Sequence, residues 1–186
     1  MSPAESAVES LHSALADAHQ AAVDVATAAG VLVADYVVTP TEYAGFGTEK
    51  LFAVDALFHR YMSLVSVMQD RLFRSIAVIE QEDVDRISRR DLTELMEKLG
   101  ALSDAARFSE SAIARNILAH TYLSHVHDRA ERLNEALRNA VFLVQAFNEA
   151  LDFVVRRRLL PVQPLTGLDP VALSLPEASH STTSSG

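Results

Sequence analysis

The sequence predicts an all-α protein, an up-and-down bundle of four to five helices with a disordered C-terminal tail. Apolar residues recur at alternating spacings of three and four, which is the period of one face of an α-helix. No segment of any length alternates apolar and polar residues as a half-buried strand does. Of the 186 residues, 49% are hydrophobic, which is enough for a substantial core. We assign residues 1–160 to the bundle and residues 161–186 to the tail.

The first two helices are predicted from long apolar stripes. One stripe covers residues 8–36, and its many alanines indicate close approach of a partner helix. The other stripe covers residues 51–79. Residues 39–48 separate the two stripes because they contain three helix-breaking residues, Pro40, Gly45 and Gly47. Thr48 is a candidate N-cap for the second helix.

The remaining helices are predicted mainly from their end signals. A polar connector, QEDVDRISRRD, leads into a short helix that Ser88 caps and that Gly100 ends in the C′ position. Ser103 or Asp104 starts a fourth helix. A last long helix starts at about Asp128 and ends in three arginines, where cations complement the helix dipole.

The segment after residue 160 has a different composition. It holds four of the six prolines and ends in serine and threonine. Such a segment cannot bury enough apolar surface to offset the entropy that it loses on ordering. We therefore expect a tail, with one short docking piece at residues 171–175.

The composition limits the classes of function. The net charge of −9 disfavours a broad nucleic-acid surface, which usually carries a basic stripe. Only Lys50 and Lys98 of the 16 basic residues are lysines, and arginine can hold a phosphate through two parallel hydrogen bonds. Cysteine is absent, so disulfides and thiolate metal sites are excluded. The sequence shows neither a signal peptide nor an uninterrupted apolar run long enough for a membrane span, so we expect a cytoplasmic protein without a membrane partner.

The candidate site lies in ARNILAHTYL, residues 114–123. On a helical wheel one side is apolar and is the predicted core face, formed by Ile113, Ala114, Ile117 and Leu118. The other side is a polar arc formed by Arg115, Asn116, His120 and Tyr122. Histidine exchanges protons near neutrality, and arginine binds phosphate with a permanent charge. Because both residues lie off the predicted core face, we expect truncation of Arg115 or His120 to cost at most about 0.5 kcal/mol of stability.

A single helix presents the two charged groups poorly. Arg115 and His120 lie about 140° apart on an ideal helix. Two such helices packed around a two-fold axis bring two sets of these groups into one cleft, and symmetric homodimers are the commonest oligomers. The spacing therefore favours a homodimer.

The stretch RNILAHTY, residues 115–122, resembles the R-x4-H-x-Y signature of HEPN-domain ribonuclease toxins of the HepT kind. The helix order over about residues 45–155 is also similar to that family. The resemblance implies a HEPN-like bundle and a homodimer that cuts RNA without a metal or another cofactor. It implies that His120 is the general acid/base, that Arg115 stabilises the phosphate charge, and that Asn116 orients the phosphate or His120. It further implies a nucleotidyltransferase antitoxin as partner, which neutralises the toxin by adding AMP to Tyr122.

Two other interpretations stay open. One is a non-catalytic HEPN-type bundle that serves as a binding or regulatory module, and the acidic charge favours it. The other is a helical scaffold whose stripes at 8–36 and 51–79 are the functional surfaces.

Further polar residues indicate no site: His125 and His127 lie two apart and face different sides of a helix, so they do not predict a metal site. His12 and His19 are expected at the surface, and the acidic connector 80–85 is expected to be solvated.

Overall fold

A computed structural model describes residues 3–32, 37–120, 126–161 and 168–172, with only the backbone described for Pro3, Ala119 and His120. Every regular element within these ranges is helical, so the prediction of an all-α bundle is confirmed. The elements are α1 (Pro3–Leu32), α2 (Pro40–Ala44), α3 (Thr48–Val67), a π-helical segment (Met68–Leu72), α4 (Phe73–Ile79), α5 (Arg89–Leu99), α6 (Ala105–His120) and α7 (Val126–Arg157).

Helix α1 packs along α3 and α7 through the predicted stripe. Its inward positions from residue 11 onward are fully buried, namely Leu11, Leu15, Ala18, Ala22, Val25, Ala29 and Leu32. Because alanine has no side chain beyond Cβ, these positions allow the backbones of neighbouring helices to approach closely. Tyr36, the last residue of the predicted stripe, lies outside the described residues.

The second stripe forms a continuous rod, Thr48–Ile79, from α3 through the π-helical segment to α4. The π-helical segment inserts an extra residue into the helical repeat, and its first two residues, Met68 and Gln69, are both buried. The apolar stripe alone did not predict this break in periodicity. By length and composition the rod is apolar enough to cross a membrane, a test that buried core helices also meet.

The start of the rod differs from the prediction by one residue. Gly47, in an extended conformation, occupies the N-cap position, and Thr48 is the first helical residue. The segment predicted as a break contains a one-turn helix, α2, which is too short to show a period. Thr39 and Glu42 cap it reciprocally, the capping box that the sequence TPTE encodes.

The predicted ends of α5 and the predicted start of α6 are confirmed. The Ser88 side chain accepts a hydrogen bond from the Asp91 N–H, and Gly100 ends α5 with a φ of 81°. Asp104 caps α6, because its carboxylate accepts the Arg107 N–H at 2.8 Å. Ser103 instead donates its N–H and hydroxyl to Glu149 of α7, each at 2.8 Å. Helix α7 starts at Val126, two residues before the predicted start.

Part of the predicted tail contacts the bundle. The side chain of Asn148 on α7 exchanges two hydrogen bonds with the backbone of Val171, each 2.9 Å long. His19 Nε2 lies 3.0 Å from the carbonyl oxygen of Asp169, and its ring packs edge-on against Phe147. His19 is therefore half-buried rather than a surface residue as predicted. The predicted docking piece, residues 171–175, contacts the bundle at Val171. Its residues 173–175 lie outside the described residues.

Candidate functional site

Helix α6 carries the predicted site residues. Arg115 and Asn116 are described in full, and His120 is the last residue of α6, one turn after Asn116. Tyr122 and His125 lie outside the described residues. The structure thus places the arginine and the asparagine of the signature, and for the histidine it places the backbone only.

The predicted core face of α6 is confirmed at Ala114, which is 5% exposed, and at Leu118, which packs against the core, but not at Ile113. Ile113, which was assigned to the core face, is 61% exposed, whereas Phe108 and Ser111 are fully buried. The face that packs inward follows a spacing of three and four through Phe108, Ser111, Arg115 and Leu118. Arg115 therefore lies on the edge of the buried face and not on an exposed arc. The prediction for Ile113 was wrong because the apolar residues of a window of 11 residues, 113–123, do not show which face a neighbouring helix covers.

A buried tyrosine anchors α6 to the rod. The Tyr61 hydroxyl, fully buried, donates a hydrogen bond to the Ser111 carbonyl oxygen at 2.8 Å. Burial raises the pKa of Tyr61 to about 12, so the phenol remains a neutral donor at physiological pH. Further along the contact between α6 and the rod, the rings of Phe73 and Phe108 pack with 5.1 Å between their centroids. These contacts hold α6 in place beside the rod.

Arg115 makes two hydrogen bonds, both to neutral groups. Its Nη2 donates to Ser66 Oγ on α3 at 3.0 Å, and its Nη1 donates to the Asn116 side-chain oxygen at 2.9 Å. Its Nε is buried and has no hydrogen-bond partner among the described residues. Within those residues no carboxylate pairs with this guanidinium. A half-buried cation without a counter-charge is stabilised by an anion that reaches its Nη atoms.

Arg115 lies between two concave surfaces. The first, here called the α5–α6 cavity, has a volume of about 730 Å³, and its walls include Gln69, Arg89, Arg90 and Asn116. The second, here called the α3 groove, has a volume of about 420 Å³ and is lined by His59, Ser63, Ser66, Asp70 and Arg71. Arg115 and Ser66 line both. A chain-like ligand that passes over Arg115 reaches both surfaces.

The other arginines of these surfaces have carboxylate partners. Arg89 holds Asp70 through two parallel hydrogen bonds of 2.8 and 2.9 Å, and Arg90 pairs with Glu94 at 3.0 Å. Arg71 pairs with Asp17 of α1. The local positive charge at this part of the molecule is therefore centred on Arg115.

The sequence-based prediction missed three residues of the site. Ser66 holds the guanidinium of Arg115, Gln69 faces the α5–α6 cavity from the π-helical segment, and His59 lies in the α3 groove. The spacing of His59, Ser63 and Ser66, at i, i+4 and i+7, is a signal that predicts a polar stripe on one face of α3. No comparable signal in the sequence identifies Gln69.

The weaker candidates make ordinary surface contacts. His127 lies within α7 and contacts Glu131 at 3.2 Å, one turn away. Glu80, at the start of the acidic connector, forms an ion pair with Arg157 at 2.6 Å and is only partly solvated, which corrects the expectation for this residue. In the described part of the chain, no group of three or more potential ligands is placed to hold a metal ion.

Comparisons of this chain with protein-family models, with curated proteins and with solved structures find no match. The likeness to HEPN toxins therefore stands on the signature and the helix order alone.

The contacts of Arg115 change the stability cost expected for its truncation, which the helical wheel placed at about 0.5 kcal/mol at most. Arg115→Ala removes two charge-assisted hydrogen bonds and the packing of the side-chain stem, so we expect it to lower the free energy of unfolding by about 1–2 kcal/mol. Asn116 is exposed, so Asn116→Ala is expected to change the free energy of unfolding by at most about 0.5 kcal/mol. Urea denaturation followed by circular dichroism measures both. Equal effects of the two substitutions would contradict the role given to the Arg115–Ser66 contact.

Proposed function

We propose that this protein is the toxin of a toxin–antitoxin pair, a metal-independent endoribonuclease of the HEPN kind. The observation that carries the proposal is the environment of Arg115, a half-buried cation that has only neutral partners among the described residues and lies between two concave surfaces. Asn116 is its neighbour, and His120 follows on the same helix. An arginine in this setting is suited to the phosphate of RNA, because an anionic oxygen supplies the charge that the protein does not.

The proposed reaction uses the ribose 2′-hydroxyl as nucleophile. A general base removes the proton of the 2′-hydroxyl, and the oxygen attacks the adjacent phosphorus. The bond from phosphorus to the 5′-oxygen breaks, and that oxygen takes a proton from a general acid. The products are a 2′,3′-cyclic phosphate and a free 5′-hydroxyl. Arg115 stabilises the charge that develops on the non-bridging oxygens, Asn116 orients the phosphate or the imidazole, and His120 serves as acid/base.

The two proton transfers occur on opposite sides of the phosphorus, so the reaction needs two proton-transferring groups. In a homodimer the second group is His120 of the other copy. The exposed side chain of Ile113 on α6 supports a contact between copies at this helix, because an isoleucine that is 61% exposed beside a cavity gains from burial. We therefore place the proposed dimer contact at α6.

The strongest alternative is a non-catalytic HEPN-type module that binds a partner. The hydrogen bonds of Arg115 to Ser66 and Asn116 favour it, because they give the arginine a structural role that needs no substrate. The net charge of −9 also favours it. Cleavage assays separate the two functions.

We expect the purified protein to cut single-stranded RNA in the presence of EDTA and to leave 2′,3′-cyclic phosphate ends. His120→Ala and Arg115→Lys are each expected to slow cleavage by about 100-fold or more, because they remove the proton transfer or the bidentate phosphate contact. His127→Ala and Arg138→Ala are matched controls at exposed positions of α7 and should cleave as wild type does. Normal cleavage by either site variant would rule out the catalytic assignment, and EDTA-sensitive cleavage would rule out the metal-independent mechanism.

We expect a homodimer at micromolar concentration, measured by analytical ultracentrifugation. Ile113→Asp places a charge in the proposed contact and should shift the protein towards the mass of a single chain. Val155→Asp, at a valine of α7 that is 49% exposed, is the matched control and should leave the dimer intact. A wild-type protein that sediments as a single chain would contradict the proposal.

Tyr122 is expected to be the regulatory residue. A phenol with an ordinary pKa near 10 exchanges protons poorly at neutral pH, so Tyr122→Phe should retain most of the cleavage activity. The same variant should escape neutralisation by a co-expressed nucleotidyltransferase. Mass spectrometry of the co-expressed proteins should show added AMP on wild type and none on Tyr122→Phe. Modification and silencing of the phenylalanine variant would show that another residue carries the AMP.

A further inference from the structure

Part of the C-terminal segment lies in a groove between the first and the last long helix, here called the α1–α7 groove. Its wall on α1 consists of His19, Val23, Ala26 and Thr27. On α7, Asn148 contacts the segment. The α1 wall and residues 169–172 enclose a volume of about 430 Å³. The segment is thus held by two helices that are far apart in the sequence.

The segment turns two aliphatic side chains towards the protein. They are the first and fourth residues of LDPV, residues 168–171. Leu168 packs against the hydrophobic core, and Val171 is 9% exposed. Asp169 and Pro170, between them, are exposed. The bundle therefore selects this segment by two apolar side chains that are three residues apart.

The hydrogen bonds to the segment all go to its backbone. The Asn148 amide accepts the Val171 N–H and donates to the Val171 carbonyl oxygen, each at 2.9 Å. His19 Nε2 donates to the Asp169 carbonyl oxygen at 3.0 Å, because a carbonyl oxygen can only accept. The edge-on contact with Phe147 orients the His19 ring for this bond. Any peptide with the same backbone course can make these three hydrogen bonds.

The spacing of the inward side chains indicates the conformation that the groove accepts. A polyproline II helix has three residues per turn, so its first and fourth residues face the same side. Pro170 favours this conformation, and it also restricts the preceding Asp169 to extended backbone. Segments of this kind lose less conformational entropy on docking, which is why proline-containing peptides are common ligands of shallow grooves.

The contacts with the groove do not require a covalent connection to α7. They involve two aliphatic side chains and the backbone atoms of residues 169 and 171. The connection, residues 158–167, acts by keeping the segment close to the groove. A tethered ligand reaches an effective concentration of roughly millimolar order at its site. A free peptide of the same sequence should therefore fill the groove once the tethered segment is released.

We propose that the α1–α7 groove is a peptide-binding site. Its ligand is an extended, proline-containing segment with aliphatic side chains at the first and fourth positions. Residues 168–171 of the same chain are its intramolecular occupant, and they tie α1 to α7. The inference is independent of the proposed function, because the groove shares no residue with the surfaces around Arg115.

The test uses the full-length protein and a capped synthetic peptide, LDPVA, with the sequence of residues 168–172. Val171→Asp places a carboxylate at the buried position and should release the segment. NMR then measures peptide binding through the backbone amide signals of Val23 and Ala26. The peptide should bind Val171→Asp about tenfold or more tightly than wild type, whose own segment competes for the groove. A capped LDPDA peptide is the control and should not bind.

A second substitution tests the backbone contacts. Combined with Val171→Asp, Asn148→Leu should abolish binding of the LDPVA peptide. Gln145→Leu, at an exposed glutamine of α7, is the matched control and should retain binding. If the Asn148 variant fails to fold, His19→Phe keeps a ring against Phe147, removes the donor to Asp169 and should weaken binding about tenfold.

Three results would overturn the inference. The first is equal binding of LDPVA and LDPDA by Val171→Asp, or no binding of LDPVA at millimolar concentration. The second is unchanged binding in the Asn148 and His19 variants. The third concerns the occupant: if dilution of wild type from 500 to about 20 μM converts its spectrum to that of Val171→Asp, the segment comes from a second copy. An intramolecular occupant gives the same spectrum at both concentrations.

Discussion

The hydrogen bond from the buried Tyr61 hydroxyl to the Ser111 carbonyl oxygen is the contact on which the candidate site depends. It joins the central rod to α6 in the interior, where an unpaired phenol would cost about 1–3 kcal/mol. A hydrogen bond of this kind selects one position of α6 along the rod, whereas apolar contacts alone tolerate small displacements. The position of α6 in turn decides that Arg115 meets Ser66 and that a cavity opens between α5 and α6.

The π-helical segment links the packing of the rod to the site. The π turn includes Met68 and Gln69, which are both buried, and Gln69 lines the α5–α6 cavity from it. The neighbouring Asp70 then holds Arg89 of α5, and Arg71 holds Asp17 of α1. Of three consecutive polar residues, Gln69 and Asp70 thus contact α5, and Arg71 contacts α1. Such π turns occur frequently at functional sites, in agreement with the place of this one at the cavity wall.

An acidic protein can still offer a positive charge to an anion when only some of its arginines are paired with carboxylates. Several of them join helices through carboxylates, including the pairs Arg60–Asp24, Arg129–Asp55 and Arg157–Glu80. Each such exposed pair contributes little stability, but it removes a cation from the general surface. Among the arginines that line the α5–α6 cavity and the α3 groove, Arg115 differs in having only neutral partners within the described residues. Its charge is therefore available to an anion, although 25 acidic residues outnumber 16 basic ones.

The sequence by itself determined the helical class, most helix ends and the residues of the signature. These features depend on local interactions: apolar spacing identifies the faces of α1 and α3, Ser88 and Asp104 cap with their own side chains, and Gly100 adopts a positive φ that disfavours other residues. The tertiary structure alone decided that Ile113 is exposed and that Arg115 is half-buried, because these outcomes depend on which face of α6 the rod covers. It also decided the orientation of Gln69, since a π turn forms where packing against other helices compensates for its irregular backbone. Short-range signals act within a few residues along the chain, whereas a cavity is formed by residues that are distant in sequence.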